Sequence, residues 1–232
     1  MLRCRFHDSR VTLDSARART YLPPGMKCSA STAAPPSVRG RPREFDPDEA
    51  LAAALRVFWA RGYEGASMAE LTEAMGITKP SLYACFGNKE ALFKKALDLY
   101  ERDKLAYIGK ALEAPTARGV AERLLNGAVA THCGDSDPHG CLGVISTVVC
   151  AAEADSIRAD VIKRRASSEA AVVKRFEQAR RDGDLPDSVC PTKLASCLTT
   201  LLQGLAVKAQ GGAQPEELQG SIDTFLAMWP GR

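Results

Sequence analysis

The sequence predicts an all-α protein of about nine helices: three short ones at the front, joined by a long helix to a larger helical domain. Three observations carry this reading. Apolar residues recur at helical spacing through most of the chain after Asp46. The aromatic share is only 6%, beside abundant Ala and Leu, a composition that favours helices. Residues that cap helices, Asp46, Ser67, Thr78 and Asn88, fall just before the apolar stripes begin.

Composition narrows the class. The chain has 232 residues, 45% of them hydrophobic, as expected of a globular protein with room for one large domain or a small one fused to a larger. No apolar run approaches the length needed to cross a membrane. The basic N-terminus lacks the continuous apolar segment of a secretory signal, so the protein is expected in the cytoplasm. Eight cysteines without a repeating framework read as buried thiols rather than disulfides. The net charge of +3 is uneven. Residues 1–43 carry nine Lys or Arg against Asp8 and Asp14, a net of +7 that leaves −4 for the remainder.

Residues 1–38 contain Pro23-Pro24-Gly25, Pro35-Pro36 and a Ser/Thr/Ala-rich stretch with no helical period. They read as a disordered, dispensable leader, and translation starting at Met26 is a second explanation for them. Arg39-Gly40-Arg41-Pro42-Arg43 differs because it abuts the folded part. Three guanidinium groups on a flexible backbone suit phosphates or a narrow minor groove, and equally a solvated linker.

The first helix should start at Asp46, with Pro47 in its first turn and Asp48 and Glu49 favourable to the helix dipole, and should stop at Gly62. From Ser67 to Phe86 the chain reads as two short helices around a glycine turn. Ser67 and Glu70 form a capping box, Met68, Leu71 and Met75 share a face, and Gly76 supplies a positive φ. Thr78 then caps a helix carrying Leu82, Cys85 and Phe86 inward, which leaves Lys79, Ser81, Tyr83 and Ala84 outward. This is the layout of a helix-turn-helix, whose second helix enters the major groove; an ordinary helical corner has the same pattern.

Asn88 caps a long helix expected to run to Tyr100 or as far as Ile108, with Lys89 at its first turn, where it can hold a phosphate or stand as an ordinary surface lysine. Beyond Leu105, Pro115-Thr116 opens a helix, Gly134 to Gly140 is a loop, and Leu142, Val144, Ile145, Val148 and Val149 form the next apolar segment. That segment is assigned as helix because nothing else could pair with it as a strand. A long amphipathic helix follows from Asp155 to Asp182, then helices opening at Pro191 and Pro215. The last two are apolar over more than one face, which fits a four-helix dimer interface or full burial in one subunit.

The run Ile77-Thr78-Lys79-Pro80-Ser81-Leu82-Tyr83, with Phe86 and Gly87-Asn88-Lys89-Glu90-Ala91-Leu92, resembles the signature of the tetracycline-repressor (TetR) family of bacterial transcription regulators. The lead-in does so too, with Gly40-Arg41-Pro42-Arg43-Glu44-Phe45-Asp46, Phe58-Trp59 and Gly62-Tyr63-Glu64-Gly65. The resemblance is dense from about Arg39 to Tyr100 and beyond that covers only the general helical layout. It implies a helix-turn-helix DNA-binding domain over 39–104, with the motif at 67–86, and an effector-binding and dimerisation domain over 105–232. The residues expected at DNA are Arg41, Arg43, Ser67, Thr78, Lys79, Pro80, Ser81, Tyr83, Ala84 and Lys89. Leu198, Leu202, Leu205, Ile222 and Phe225 are expected at a homodimer interface, and Cys141, Val144, Ile145 and Val148 at a small-molecule pocket. The function implied is a ligand-responsive repressor that binds a palindromic operator as a dimer, without cofactor.

Two rival chemistries remain. His132, Cys133, His139 and Cys141 offer soft ligands within a short span, though not in a recognised finger spacing, and Cys133, Cys141 and Cys150 could sense redox state. An enzyme is disfavoured, since only three histidines are present and no nucleophile, base and orienting group stand out.

Overall fold

The computed structural model describes residues 45–148 and 154–231, and among these are ten helices and no strand. The leader, Arg41, Arg43 and Cys150 lie outside the described residues, as does the Val148 side chain. The front carries α1 (Pro47–Gly65), α2 (Met68–Ala74), α3 (Lys79–Phe86) and α4 (Lys89–Lys104). Behind come α5 (Ala106–Leu112), α6 (Ala117–His132), α7 (Leu142–Val148), α8 (Asp155–Arg181), α9 (Pro191–Gln210) and α10 (Pro215–Ala227).

Local chemistry sets the helix starts. The Asp46 carboxylate accepts from the Asp48 amide at 2.8 Å, and Asn88 accepts from Ala91 at 2.8 Å. Ser67 and Glu70 complete their capping box at 3.0 and 3.1 Å, and Thr78 accepts from Ser81 at 3.3 Å. Glycines set two of the turns. Gly62, at φ +72, breaks α1 internally, so its last residues form a separate turn, and Gly76, at φ +64, turns α2 into α3.

Two cores result. In the front one, Phe58 of α1 meets Phe93 of α4 edge to face at 5.1 Å, and Trp59 meets Tyr100 at 4.8 Å. This core also takes in Leu142, Ile145, Ile157 and Val161, so α7 and the start of α8 pack with the front helices rather than only behind them. The second core joins α5, α6, the later part of α8, α9 and α10 around Phe176, Leu125, Leu198 and Leu218.

The structure departs from the sequence reading in two places. The long helix ends at Lys104, within the span from Tyr100 to Ile108 expected for it, but after Leu105 (φ −102, ψ 6) a separate short helix, α5, begins, which makes ten helices where about nine were expected. No Gly or Pro marks this break. Long-range contacts flank it: Lys104 is ion-paired with Asp137 of the α6–α7 loop, and the Tyr107 ring lies close against Gly127 of α6.

The second departure concerns the dimer residues. Leu198, Leu205 and Ile222 are fully buried inside the single subunit, and Leu202 is partly buried and lines a cavity; of the five only Phe225 borders the outer groove between α9 and α10. The apolar stripe through Leu198 and Leu205 closes the subunit core, and the neighbouring stripe of Cys197, Leu201, Gly204 and Lys208 faces outward.

Candidate functional site

The outer face of α3 is built by what its inner face buries. Leu82 and Phe86 are 0% and 5% exposed, so the helix is pinned to the front core by two side chains one turn apart. Lys79, Pro80, Tyr83 and Ala84 are therefore exposed together, with Tyr83 at 51%. Ser81 is half-buried, and its hydroxyl is 2.9 Å from that of Thr78. Ser67 and Thr78 are exposed, but both hydroxyls already cap helices. They hold the motif's geometry first.

Lys89 has a more specific setting than its first-turn position indicated. Its ammonium lies 4.6 Å from the centroid of the Tyr63 ring, and partial burial pulls its pKa down while nearby Glu64 opposes that shift. The cation is thus oriented by the aromatic residue that follows the Gly62 break.

A cavity of about 440 Å³ lies behind, within the size range of small-molecule sites. Its wall comes from α4 to α9, including Leu97, Tyr100, Leu124, Val144, Val161 and Leu202. Of the expected pocket residues, Cys141 and Val144 line it, whereas Ile145 turns toward α1, where it would meet a Cβ at Gly62 at 3.3 Å. Sequence reasoning missed Tyr100 and Tyr107 and treated His132 only as a metal ligand. Tyr100 continues the apolar stripe of α4, so periodicity marked it as core and gave no sign that it borders a cavity.

Polar groups in the cavity are strongly desolvated. Burial pushes the Tyr100 phenol far up, with Cys141 adding to the shift, and burial raises Tyr107 too. Burial pulls the His132 imidazole down to about 4, against an opposing contact with the Gly140 backbone, so the ring is neutral at pH 7.

Cavity and front helices share parts. Tyr100 lines the cavity and meets the Trp59 ring edge to face. The Trp59 indole N–H donates to the Gly140 carbonyl at 2.9 Å, three residues before the cavity-lining Gly143. Asp137, in the same loop, pairs with Lys104 and, at 3.6 Å, with Arg56 of α1. Loop, α1 and α4 form one mechanical unit.

The four soft ligands do not converge. His132 is buried at the cavity, His139 is exposed, and Cys133 packs at the second core with its thiol pKa raised by burial. Among the described residues no group of three or more His, Cys, Asp or Glu could hold a metal ion. The redox reading keeps only Cys133 and Cys141 within the described residues. No helix among the described residues is long and apolar enough to cross a membrane.

Residues 50–96 match the family model of bacterial regulatory proteins, tetR family. The chain is 34% identical over 195 residues to the HTH-type transcriptional repressor ComR of Escherichia coli K12, spanning 83% of this chain and 92% of ComR. The chain belongs to the TetR family. This TetR-family protein is also 48% identical over 63 residues to the repressor BdcR of the same bacterium, across 27% of this chain and 32% of BdcR. Among solved structures it is similar to a cysteine mutant of the TetR family regulator CifR complexed with 26-bp double-strand operator DNA. That likeness has a TM-score of 0.78 and 41% identity, over 82% of this chain and all of CifR's.

Proposed function

We propose that this protein is a homodimeric transcriptional repressor that binds a palindromic operator through α3 and leaves it when a small molecule occupies the cavity. One observation carries the proposal: α3 buries Leu82 and Phe86 and turns Lys79, Pro80, Tyr83 and Ala84 outward, a cation, an aromatic and a methyl of the sizes that base edges accept. Support comes from the operator complex of CifR and from the repressor names of ComR and BdcR. Arg41 and Arg43 extend the footprint along the backbone or into the minor groove, and Lys89 meets a phosphate. The work is done in the cytoplasm, and no reaction is catalysed.

One α3 covers only a few base pairs, so a second copy is needed to read a palindrome. The outer groove of α9 and α10, with Leu201, Gly204, Phe225 and Met228, takes that copy, Met228 being 71% exposed. Release follows only if the effector binds better to the conformation in which the two α3 helices are wrongly spaced.

The test is selection of bound sequences from a random duplex pool, followed by affinities at two salt concentrations. A palindrome is expected, bound more weakly as salt rises. Lys79→Ala and Tyr83→Ala should each weaken operator binding by roughly tenfold, from the ~1–3 kcal/mol of a base contact, while the dimer persists. Wild-type affinity in both variants would remove α3 from the reading face.

A further inference from the structure

The ammonium of Lys89 has an aromatic ring beneath it and no acid against it. It lies 4.6 Å from the centroid of the Tyr63 ring, and among the described residues it forms neither a hydrogen bond nor an ion pair. Glu64 acts on it electrostatically without closing to an ion pair. Lys94 of the same helix is committed differently, being held by the Glu90 carboxylate at 2.7 Å. Lys89 is half-buried, so it keeps reduced hydration and no counter-ion, and an anion from outside the fold meets no internal competitor.

The ring beneath Lys89 is itself fixed. Gly62, at φ +72, breaks α1 and redirects the chain, and Tyr63 follows at once. The Tyr63 ring meets Phe93 of α4 edge to face at 5.3 Å and stacks beside Phe58 of α1 at 6.4 Å. Phe58 and Phe93 are fully buried, so these two contacts tie the ring to the front core. A lysine has a long flexible stem and ordinarily gives up that freedom when it binds an anion. An ammonium already drawn onto the face of a fixed ring has given up part of it beforehand.

Building on the reading that Lys89 meets a DNA phosphate, we infer that Tyr63 is a positioning residue for that contact. Its ring holds the Lys89 ammonium where a backbone phosphate takes it, and it acts on DNA only through Lys89. The gain is affinity without sequence preference, because phosphate contacts set register and carry no base information.

The test uses the full-length protein and a fluorescein-labelled duplex. This is the sequence recovered by selection or, if none is enriched, the random pool itself, since a phosphate contact needs no particular sequence. Affinities are taken by fluorescence anisotropy over a range of salt concentrations. Lys89→Ala should lower the slope of log affinity against log salt by about 0.9 for each phosphate lost, or about 1.8 for a dimer. Tyr63→Leu removes the ring; it should weaken binding roughly 3- to 30-fold and lower the slope in the same sense. Tyr63→Phe keeps the ring and should bind as wild type does. The double variant Tyr63→Leu/Lys89→Ala separates positioning from damage to the core. In it, the loss of the ring should cost nothing beyond Lys89→Ala, because the lysine through which it acts is gone. A second measurement leaves Tyr63 in place and so stands even if Tyr63→Leu fails to fold. Lysines are reductively methylated with isotopically labelled formaldehyde, which keeps their charge, and the Lys89 signal is assigned by its loss in Lys89→Ala. That signal should lie upfield of ordinary lysine signals, shifted by the ring beneath it, and should move when duplex is added.

Wild-type affinity and slope in Tyr63→Leu would overturn the inference. So would a loss in Tyr63→Phe equal to that in Tyr63→Leu, a further loss in the double variant as large as in the single one, or an unshifted Lys89 signal. The lysine variant separates the two proposals. An unchanged salt slope in Lys89→Ala, or a Lys89 signal that ignores the duplex, refutes the phosphate contact and this inference with it. A lowered slope in Lys89→Ala beside an unaffected Tyr63→Leu refutes the positioning alone.

Discussion

Replacing Trp59 by Phe tests whether the α6–α7 loop is fastened to the front helices through one hydrogen bond. The indole is 1% exposed, and its N–H is the donor to the Gly140 carbonyl at 2.9 Å. Phenylalanine keeps a ring against Tyr100 but removes the donor and the outer half of the indole. Apart from the neighbouring His132 imidazole, which already contacts the Gly140 backbone, the loop has little freedom to find another partner. Gly140 is at φ +87, and a Cβ placed there would already come within 3.0 Å of Gln210 Cβ and 3.1 Å of the Ala206 carbonyl oxygen. The backbone therefore lies hard against α9. An orphaned buried carbonyl costs about 1–3 kcal/mol, and the void left by the smaller ring adds about 1–2 kcal/mol. That is a large share of the ~5–15 kcal/mol total stability usual for a domain. At roughly 2–4 °C per kcal/mol for a chain of this size, the melting temperature should fall by roughly 5–15 °C. Thermal unfolding followed by helical circular dichroism measures it. A variant melting within about 2 °C of wild type would refute the claim that this bond fastens the loop.

Three further outcomes are expected. Because burial lowers the His132 pKa from 6.5 in the unfolded chain to about 4 in the folded one, the unfolded state takes up the proton first as pH falls. This stabilisation is complete above pH ~6.5 and is lost progressively down to pH ~4, amounting to about 3 kcal/mol. Denaturant titrations across that range should show a slope that His132→Leu flattens; an unchanged slope would place the acid sensitivity elsewhere. Gly127→Ala would put a Cβ 2.3 Å from the Tyr107 ring, so α5 must shift or the ring must swing out, at about 1–3 kcal/mol. Equal denaturation midpoints for Gly127→Ala and wild type would contradict that packing. Leu201→Glu, on the outer stripe of α9, should produce monomers in sedimentation at concentrations where wild type is dimeric, with helix content preserved. Leu198→Glu should instead unfold the subunit, since Leu198 is fully buried in one copy. A dimeric Leu201→Glu would move the interface off this groove.

Much of the front was legible in the residues themselves. Asp46, Ser67, Thr78 and Asn88 cap helices where the sequence placed them, because a cap is a bond between residues two or three apart. The inward face of α3 was equally plain from Leu82 and Phe86. The segment after Cys141 is helical, as the absence of any strand partner required. The helices opening at Pro191 and Pro215 begin at those residues.

What escaped was each feature that depends on residues far apart in the chain. On α9, Leu198 and Leu202 are both apolar and one turn apart, yet one closes the core and the other lines the cavity. Periodicity says which residues share a face, not what that face meets. Tyr100 looked like one more core aromatic, and the break at Leu105 carries no residue that forbids helix. The fold class, the caps and the outward face of α3 are determined by the sequence alone, since they rest on contacts within a turn or two. The cavity, the Trp59–Gly140 bond and the outward stripe of α9 were decided by tertiary structure. They arise where elements up to 81 positions apart meet, and there burial, not local propensity, fixes what each side chain can do.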